Sequence, residues 1–572
     1  MGRNILKSSL QNASFNIVFQ ILCRCITFAI NAYIVRSVGR DVLGIMNVRL
    51  LLLESTLLFL SREATSRAAL SATSLQRSSC TWPQLINQMW LTVPICAFLC
   101  LPLLYIWRNV LSSVDPQLQD QYTFGCYAIA VSCVIEMCAE APVFVGQVFC
   151  FVRLKVFLDT LHIFVRSAVF IAIVTTNKSI AIYAFGIAQF SSAMTIILGH
   201  YIFFYLYTKK LNNFRRRAKK EEKKVLLEQM GTHFDHMDDF PFTSLHQFLP
   251  KILPPGEKSL NSDLQVLILS FVKQGILKQI LTEGEKYVMS VSPVLSFSEQ
   301  ATYDVVNNMG SLAARFIFRP IEDSSYFYFT QTIARDVQLK EQEAEKVTEA
   351  SKVLANVCKV VMSIGLVGFV FGQSYSGTIL LLYGGQDFVA GGLPELLLRW
   401  HSLAIILLAV NGITEGYMFA TNTSKEIDGY NYYMAIFSVT FLALSYQLTN
   451  LLGPVGFILA NCANMIFRIS YSIRFIIRQY KPLEENPLRN ILPGPLFLIT
   501  LIACGVACKV SEAMILSRSV LYHLLLGAFC ALITVLAWSF ENRELIKLGF
   551  SNLLMSPKKS TKISKCDCWG KN

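Results

Sequence analysis

Between Lys278 and Val288 the chain reads KQILTEGEKYV, placing Lys278, Glu283, Glu285 and Lys286 between the apolar flanks DLQVLILSF and SPVLSF. At about 100° per residue these four, with Gln279 and Thr282, share an arc roughly 160° wide. Ile280, Leu281, Gly284, Tyr287 and Val288 take the opposite arc. A lone charge at mid-bilayer costs roughly 2.5–3.5 kcal/mol on insertion scales, so such a face should look into protein or water. The device recurs. Asp304, Asn308, Ser311, Arg315, Arg319 and Glu322 form one expected stripe, and Lys155, Asp159, His162 and Arg166 another. Glu136 with Glu140, and Asn411 with Glu415, are spaced for one helical turn, while Arg49 and Glu54 share a further apolar segment. An ion pair needs only two partners, whereas here many segments carry polar faces, which points to a hydrated central cavity. Arg24, Lys278, Lys286 and Arg315 make its centre basic, which suits an anion such as phosphate or pyrophosphate.

The elements that must carry these faces are membrane helices. Of 572 residues, 53% are hydrophobic and 16% charged, and mean hydropathy is +0.46. A soluble chain carries about 25% charged residues. Apolar windows near twenty residues recur along the whole length without period-two alternation, which indicates spanning helices and not barrel strands. The fold class is all-α and polytopic. Fourteen spans are expected, near 14–38, 42–61, 85–107, 121–141, 155–176, 179–207, 264–297, 300–330, 353–372, 394–420, 429–448, 454–477, 491–509 and 519–540.

Lys and Arg placement orients them with both termini cytosolic. Alternate loops hold Arg62, Arg67 and Arg77, then Arg153 and Lys155, then the run KKLNNFRRRAKKEEKK at 209–224, whereas the loop 373–393 has neither Lys nor Arg. The net charge of +13 therefore calls for anionic headgroups and for no nucleic acid. The expected division is a six-helix lobe at 1–207, a basic cytosolic linker at 208–263, a second six-helix lobe at 264–480, two extra helices at 481–542 and a basic cytosolic tail at 543–572. An offset of 259 lays Gln20, Arg24, Thr27 and Asn31 on Gln279, Glu283, Lys286 and Ser290, which suggests two related bundles around one cavity.

Five stretches carry a resemblance: NVRLLLLESTLLFLSREATSRAAL (47–70), KQILTEGEKYVMS, ATYDVVNNMGSLAARFIFRPIEDSSY (301–326), NGITEGYMFAT (411–421) and LGPVGFILANCANMIFRISYS (452–472). They resemble the eukaryotic "requiring fifty-three" family. That resemblance implies an endoplasmic-reticulum membrane protein of asparagine-linked glycosylation. It further implies movement of a dolichol-pyrophosphate-linked heptasaccharide, five mannoses on two N-acetylglucosamines, from the cytosolic to the lumenal leaflet. The family is similar in fold to the multidrug/oligosaccharidyl-lipid/polysaccharide exporter superfamily, which has about fourteen spans in two lobes and includes the bacterial lipid II flippase. On this reading Arg24 and Lys278, with Arg315, Lys286 and Arg49, meet the pyrophosphate. Glu283, Glu285, Glu322 and Glu415 pair with those cations in the empty site or accept sugar hydroxyls. The alternative is a non-transporting accessory that binds the lipid-linked oligosaccharide and presents it to lumenal glycosyltransferases, so the expected partners are that lipid, membrane lipids and pathway enzymes.

An enzyme is not expected. No D-x-D occurs, the loop 373–393 offers only Asp387, and PPGEKS at 254–259 lacks the order of a phosphate-binding loop. His233 and His236 near Asp235, Asp238 and Asp239 read as a polar linker, so neither a metal nor a cofactor is expected. The sixteen cysteines, mostly inside apolar runs, read as small buried hydrophobes. N-x-[ST] triplets at Asn12, Asn177 and Asn422 are expected to carry no glycan, being cytosolic or too near the membrane.

Overall fold

The structure is a computed structural model. It describes residues 26–544 apart from 76–80, 112–113, 150, 218–239, 256–257, 292–294, 336, 485 and 490. Arg24, Asn12, His233, His236 and the terminal cysteines lie outside the described residues, while Lys278 and Arg315 are described by backbone alone.

The described chain is helical. The longer helices are α1 (26–37), α2 (Leu51–Leu75), α3 (Trp82–Trp90), α4 (Thr92–Asn109), α5 (Gln119–Met137), α6 (Glu140–Val148), α7 (Val152–Thr176) and α8 (Ala181–Arg217). They continue with α9 (Ser262–Val291), α10 (Phe297–Ala313), α11 (Arg319–Thr332), α12 (Ala344–Gly384), α13 (Leu393–Thr421), α14 (Ser424–Leu452), α15 (Val455–Tyr480), α16 (Pro495–Met514) and α17 (Val520–Glu541). Among the described residues nine helices are long and apolar enough to cross a bilayer, or ten if α5 and α6, bent by 47°, count as one span. The other four expected spans correspond to α1, described only from residue 26, to α9, of which Leu264–Lys273 is an apolar stretch, and to α10–α11 and α15, which are too polar for that measure.

Two compact units are distinguishable. One comprises residues up to Val305 together with Leu380–Pro394 and Ser438–Ala460; the other comprises Val306–Ile379, Glu395–Phe437 and residues from Asn461 onward. In the first unit α8 packs on α5 and α7, α4 on α2 and α5, and α9 on α2. Its aromatic core collects Phe144, Phe149, Phe204, Phe240, Phe242 and Phe248, all at most 3% exposed. In the second unit Phe318, Phe329, Tyr417 and Tyr480 centre an apolar core, and α16 packs on α17.

Three local expectations change. The loop 373–393 is mostly helix: α12 runs to Gly384 because SGTILLLYG continues its apolar pattern, and Gln386–Val389 adds a short turn. Glu136 and Glu140 do not share a helix turn, since α5 ends at Met137 and α6 begins at Glu140. Pro142 falls in the first turn of α6, where its missing N–H costs nothing. The linker 208–263 is not uniformly a solvated tether. Helix α8 occupies it to Arg217, and residues from Phe240 onward return to the first unit's core.

Candidate functional site

In the first unit the polar face of α9 meets α2. Glu283 accepts a hydrogen bond from Ser55 Oγ at 3.0 Å and pairs with Lys286 Nζ at 3.2 Å. Gln279 Nε2 donates to Ser55 Oγ at 3.3 Å. The Tyr287 hydroxyl lies 2.7 Å from Thr56 Oγ1, which itself donates to the Leu52 carbonyl, so Tyr287 is the donor between them. Glu285 accepts from the Tyr303 hydroxyl on α10, and Asn47 Nδ2 reaches Asp304 Oδ2 at 3.4 Å. Gly284 lets this face close up: a Cβ there would sit 2.5 Å from Leu442 Cδ2 of α14.

These residues can hold an anion only in part. Lys286 is 31% exposed along its side chain and pairs with Glu283, a partner it can exchange for a phosphate oxygen. Arg49 is fully enclosed in a π-helical turn, Ile45–Leu50, with its guanidinium 5.2 Å from the ring centre of Phe297. Its carbonyl accepts from the Trp107 indole at 3.0 Å, and the Trp107 carbonyl accepts from Tyr122 at 2.9 Å. Contact between Arg49 and a ligand therefore requires this layer to open.

Of the second unit's candidates, Glu415 has the fullest surroundings. It accepts from Asn411 Nδ2 at 3.2 Å, from the Tyr430 hydroxyl at 2.6 Å and from Arg468 Nη2. Glu322 lies across Gly412, where a Cβ would come within 1.6 Å of its Oε1. Arg315 falls in a second π-helical turn, Ala314–Phe318. That turn breaks the expected stripe, because one extra residue per turn rotates the following side chains off the face. Asp304 belongs to the first unit and the rest of the stripe to the second, and Arg319 pairs with Asp323 at 3.2 Å with both side chains more than 60% exposed.

A further polar group lies among α2, α5, α7 and α8. Arg62 pairs with Glu136 at 3.1 Å, Arg166 donates to Gln189 at 3.3 Å, Gln189 donates to Glu54, and His162 lies 2.9 Å from Ser192 Oγ. The stripe on α7 thus faces α8. The residues that sequence reasoning missed are mainly hydroxyls and one cation: Ser55, Thr56, Tyr303, Tyr430 and Arg468. Ser55 and Thr56 directly follow Glu54 in LLLEST, and Arg468 is one of only two charges in the expected span 454–477, so a signal for both was available.

The comparisons agree with this architecture. A protein of Drosophila melanogaster, the Man(5)GlcNAc(2)-PP-dolichol translocation protein RFT1, is 62% identical over 551 residues, covering 96% of this chain and 98% of its own. The protein of the same name from Xenopus tropicalis is 37% identical over 97% of this chain and 98% of its own. Among solved structures, the lipid II flippase MurJ in an inward closed conformation aligns with a TM-score of 0.54 at 12% identity, covering 91% of this chain and 100% of that one, which speaks to the fold. The sequence pattern of the Rft protein family matches residues 8–552, and the chain belongs to that family.

Proposed function

We propose that this protein translocates a dolichol-pyrophosphate-linked heptasaccharide, five mannoses on two N-acetylglucosamines, from the cytosolic to the lumenal leaflet of the endoplasmic reticulum. The observation that carries the reading is the 62% identical relative, named for that translocation and matched over 96% of this chain. The polar faces support it. A pyrophosphate crossing a bilayer needs cations that are already paired inside the protein, so that neither partner is left bare when the ligand departs. Lys286, held by Glu283, meets that requirement in the first unit. Sequence spacing assigns Arg24 and Lys278 to the same anion site, while Glu285 and the Ser55–Gln279 pair offer hydrogen bonds to sugar hydroxyls. In the second unit Glu322 and Glu415 supply polar groups of its own, and sequence spacing assigns Arg315 to the same site. The reaction is transport rather than covalent catalysis, and both termini are cytosolic.

The test is leaflet exchange of a labelled dolichol-pyrophosphate heptasaccharide in vesicles holding the purified full-length protein. Exchange well above that of protein-free vesicles is expected. Exchange no faster than in empty vesicles, with the lipid still bound, overturns translocation in favour of an accessory role in presenting it to glycosyltransferases.

A further inference from the structure

The segment after Phe240 is built as a rigid strap. Phe240, Phe242 and Phe248 are each at most 3% exposed, and Phe242 stacks on Phe248 with ring centres 4.7 Å apart. Backbone pins complete it. Arg215 donates to the Phe240 carbonyl at 2.7 Å, Asn212 to Thr243 at 2.6 Å and the Trp90 indole to Phe248 at 2.7 Å. Asn87 makes two bonds with Lys251, donating from Nδ2 and accepting at Oδ1, both at 2.8 Å. Gln84 adds one to the Lys258 carbonyl at 2.9 Å.

On this fixed frame Ile252 is 98% exposed and Leu249 39% exposed. Leaving an isoleucine wholly in water forgoes about 1.5–3 kcal/mol of burial, yet the pins at residue 251 hold it outward. Over 240–255 the sequence carries Lys251 and no Asp or Glu. Beside Lys251 a groove opens, walled by Trp82, Pro83, Phe242 and Leu249. Gln247 and Lys251 also line it, so apolar side chains and one cation stand together as an acyl chain and its phosphate would require.

Depth decides what covers it. The span Trp82–Asn109 has 28 residues, about eight more than the roughly twenty needed to cross a bilayer. With all of that excess at the Trp82 end, the bilayer edge falls near Trp90, which suits the interfacial preference of tryptophan. Asn87 then lies within about 5 Å of the edge at 1.5 Å per residue, and the strap is tied to Asn87 directly. The adjoining end of α8 carries Lys209 and Lys210, marking the basic side.

We infer that the strap at 240–255 is a membrane-surface anchor, with Ile252 and Leu249 inserted into the adjacent leaflet and Lys251 on the phosphate of an anionic lipid. The inference goes beyond the transport reading and depends only on membrane residence. It is tested on the full-length protein in vesicles by placing a fluorophore at Ile252→Cys, with the unsubstituted protein carried through the same labelling as the blank. Nitroxide lipids labelled near the headgroup should quench it, and aqueous iodide should not. In vesicles with phosphatidylserine, the ratio of quenched to unquenched label should rise about fivefold over neutral vesicles, the weight of one lysine near an anionic surface, and Lys251→Glu should abolish that rise. A label at Leu249→Cys should lose lipid quenching when Ile252→Asp is added. Quenching by iodide and not by lipid overturns the anchor. Shielding from both quenchers also overturns it, since it places protein and not lipid on the strap. Equal quenching in neutral and anionic vesicles overturns the role given to Lys251.

Discussion

At the residue scale the strongest local statement concerns Glu415, which is 9% exposed along its side chain and saturated by three donors. Removing its charge leaves Arg468 uncompensated. Breaking a fully buried pair costs about 3–5 kcal/mol. Because the Arg468 side chain is 30% exposed, Glu415→Gln should cost less, about 2–3 kcal/mol. Thermal unfolding can be followed with a thiol-reactive dye, since Cys126, Cys133, Cys358 and Cys508 are buried until the helices part. Adding Arg468→Gln should restore much of the loss, and a double variant no better than the single one would argue against the pair. Glu283 makes a functional prediction. It competes with any anion for Lys286, so Glu283→Gln should tighten inorganic pyrophosphate binding by up to about fivefold, the worth of a partly exposed ion pair. Weaker binding, read by calorimetry, would place Lys286 outside the anion site. The arcs drawn from sequence located Glu283, Lys286 and Glu415 among polar partners. They could not supply Ser55, Tyr430 or Arg468, because a helical projection sees one helix and these partners come from others.

Elements are positioned by close approaches and caps. Gly412 leaves the room that the Glu322 carboxylate occupies, the approach of its Oε1 to the place of a Cβ being 1.6 Å. Gly412→Ala should cost about 1–3 kcal/mol as an overpacked core site, and truncating the obstacle with Glu322→Ala should relieve it. No relief in the same thermal assay would mean that the alanine harms the helix by another route. At the other end of the chain, Arg36 caps α12. Its Nε donates to the Tyr383 carbonyl at 3.0 Å and its Nη2 to Leu382, where the helix leaves its last carbonyls unpaired and its dipole is negative. Gly385, with φ of 80°, turns the chain just beyond. A cation at an exposed helix end contributes about 0.3–1 kcal/mol, so Arg36→Gln should speed amide exchange over 380–384 by about two- to fivefold. An unchanged exchange rate there would reduce Arg36 to a surface residue. Hydropathy made most of these helices legible but not their irregularities. The two π-helical turns, Ile45–Leu50 and Ala314–Phe318, leave composition and hydropathy unaltered, and the first seats Arg49 beside Phe297.

For the whole molecule, the orientation predicts that no N-glycan is attached. Asn177 uses its side chain to cap the turn at Ser179, 3.0 Å from that backbone nitrogen, and Asn422 is 2% exposed. Glycosidase treatment should therefore leave electrophoretic mobility unchanged, and a shift would reverse the assigned sides. The sequence by itself determined that this is a polytopic helical protein with polar faces in its spans. Bilayer insertion depends on the apolarity and length of each segment alone, and helical spacing depends on that segment's own residues. It also carried the family, through stretches such as LLLEST and KQILTEGEKYV. Only the tertiary structure decided that Arg49 is sealed under Phe297, that Glu136 pairs with Arg62 from a different helix than Glu140's, and that the supposed tether packs three phenylalanines into a core. Each of those outcomes depends on what a neighbouring helix presents, and no single segment holds that information.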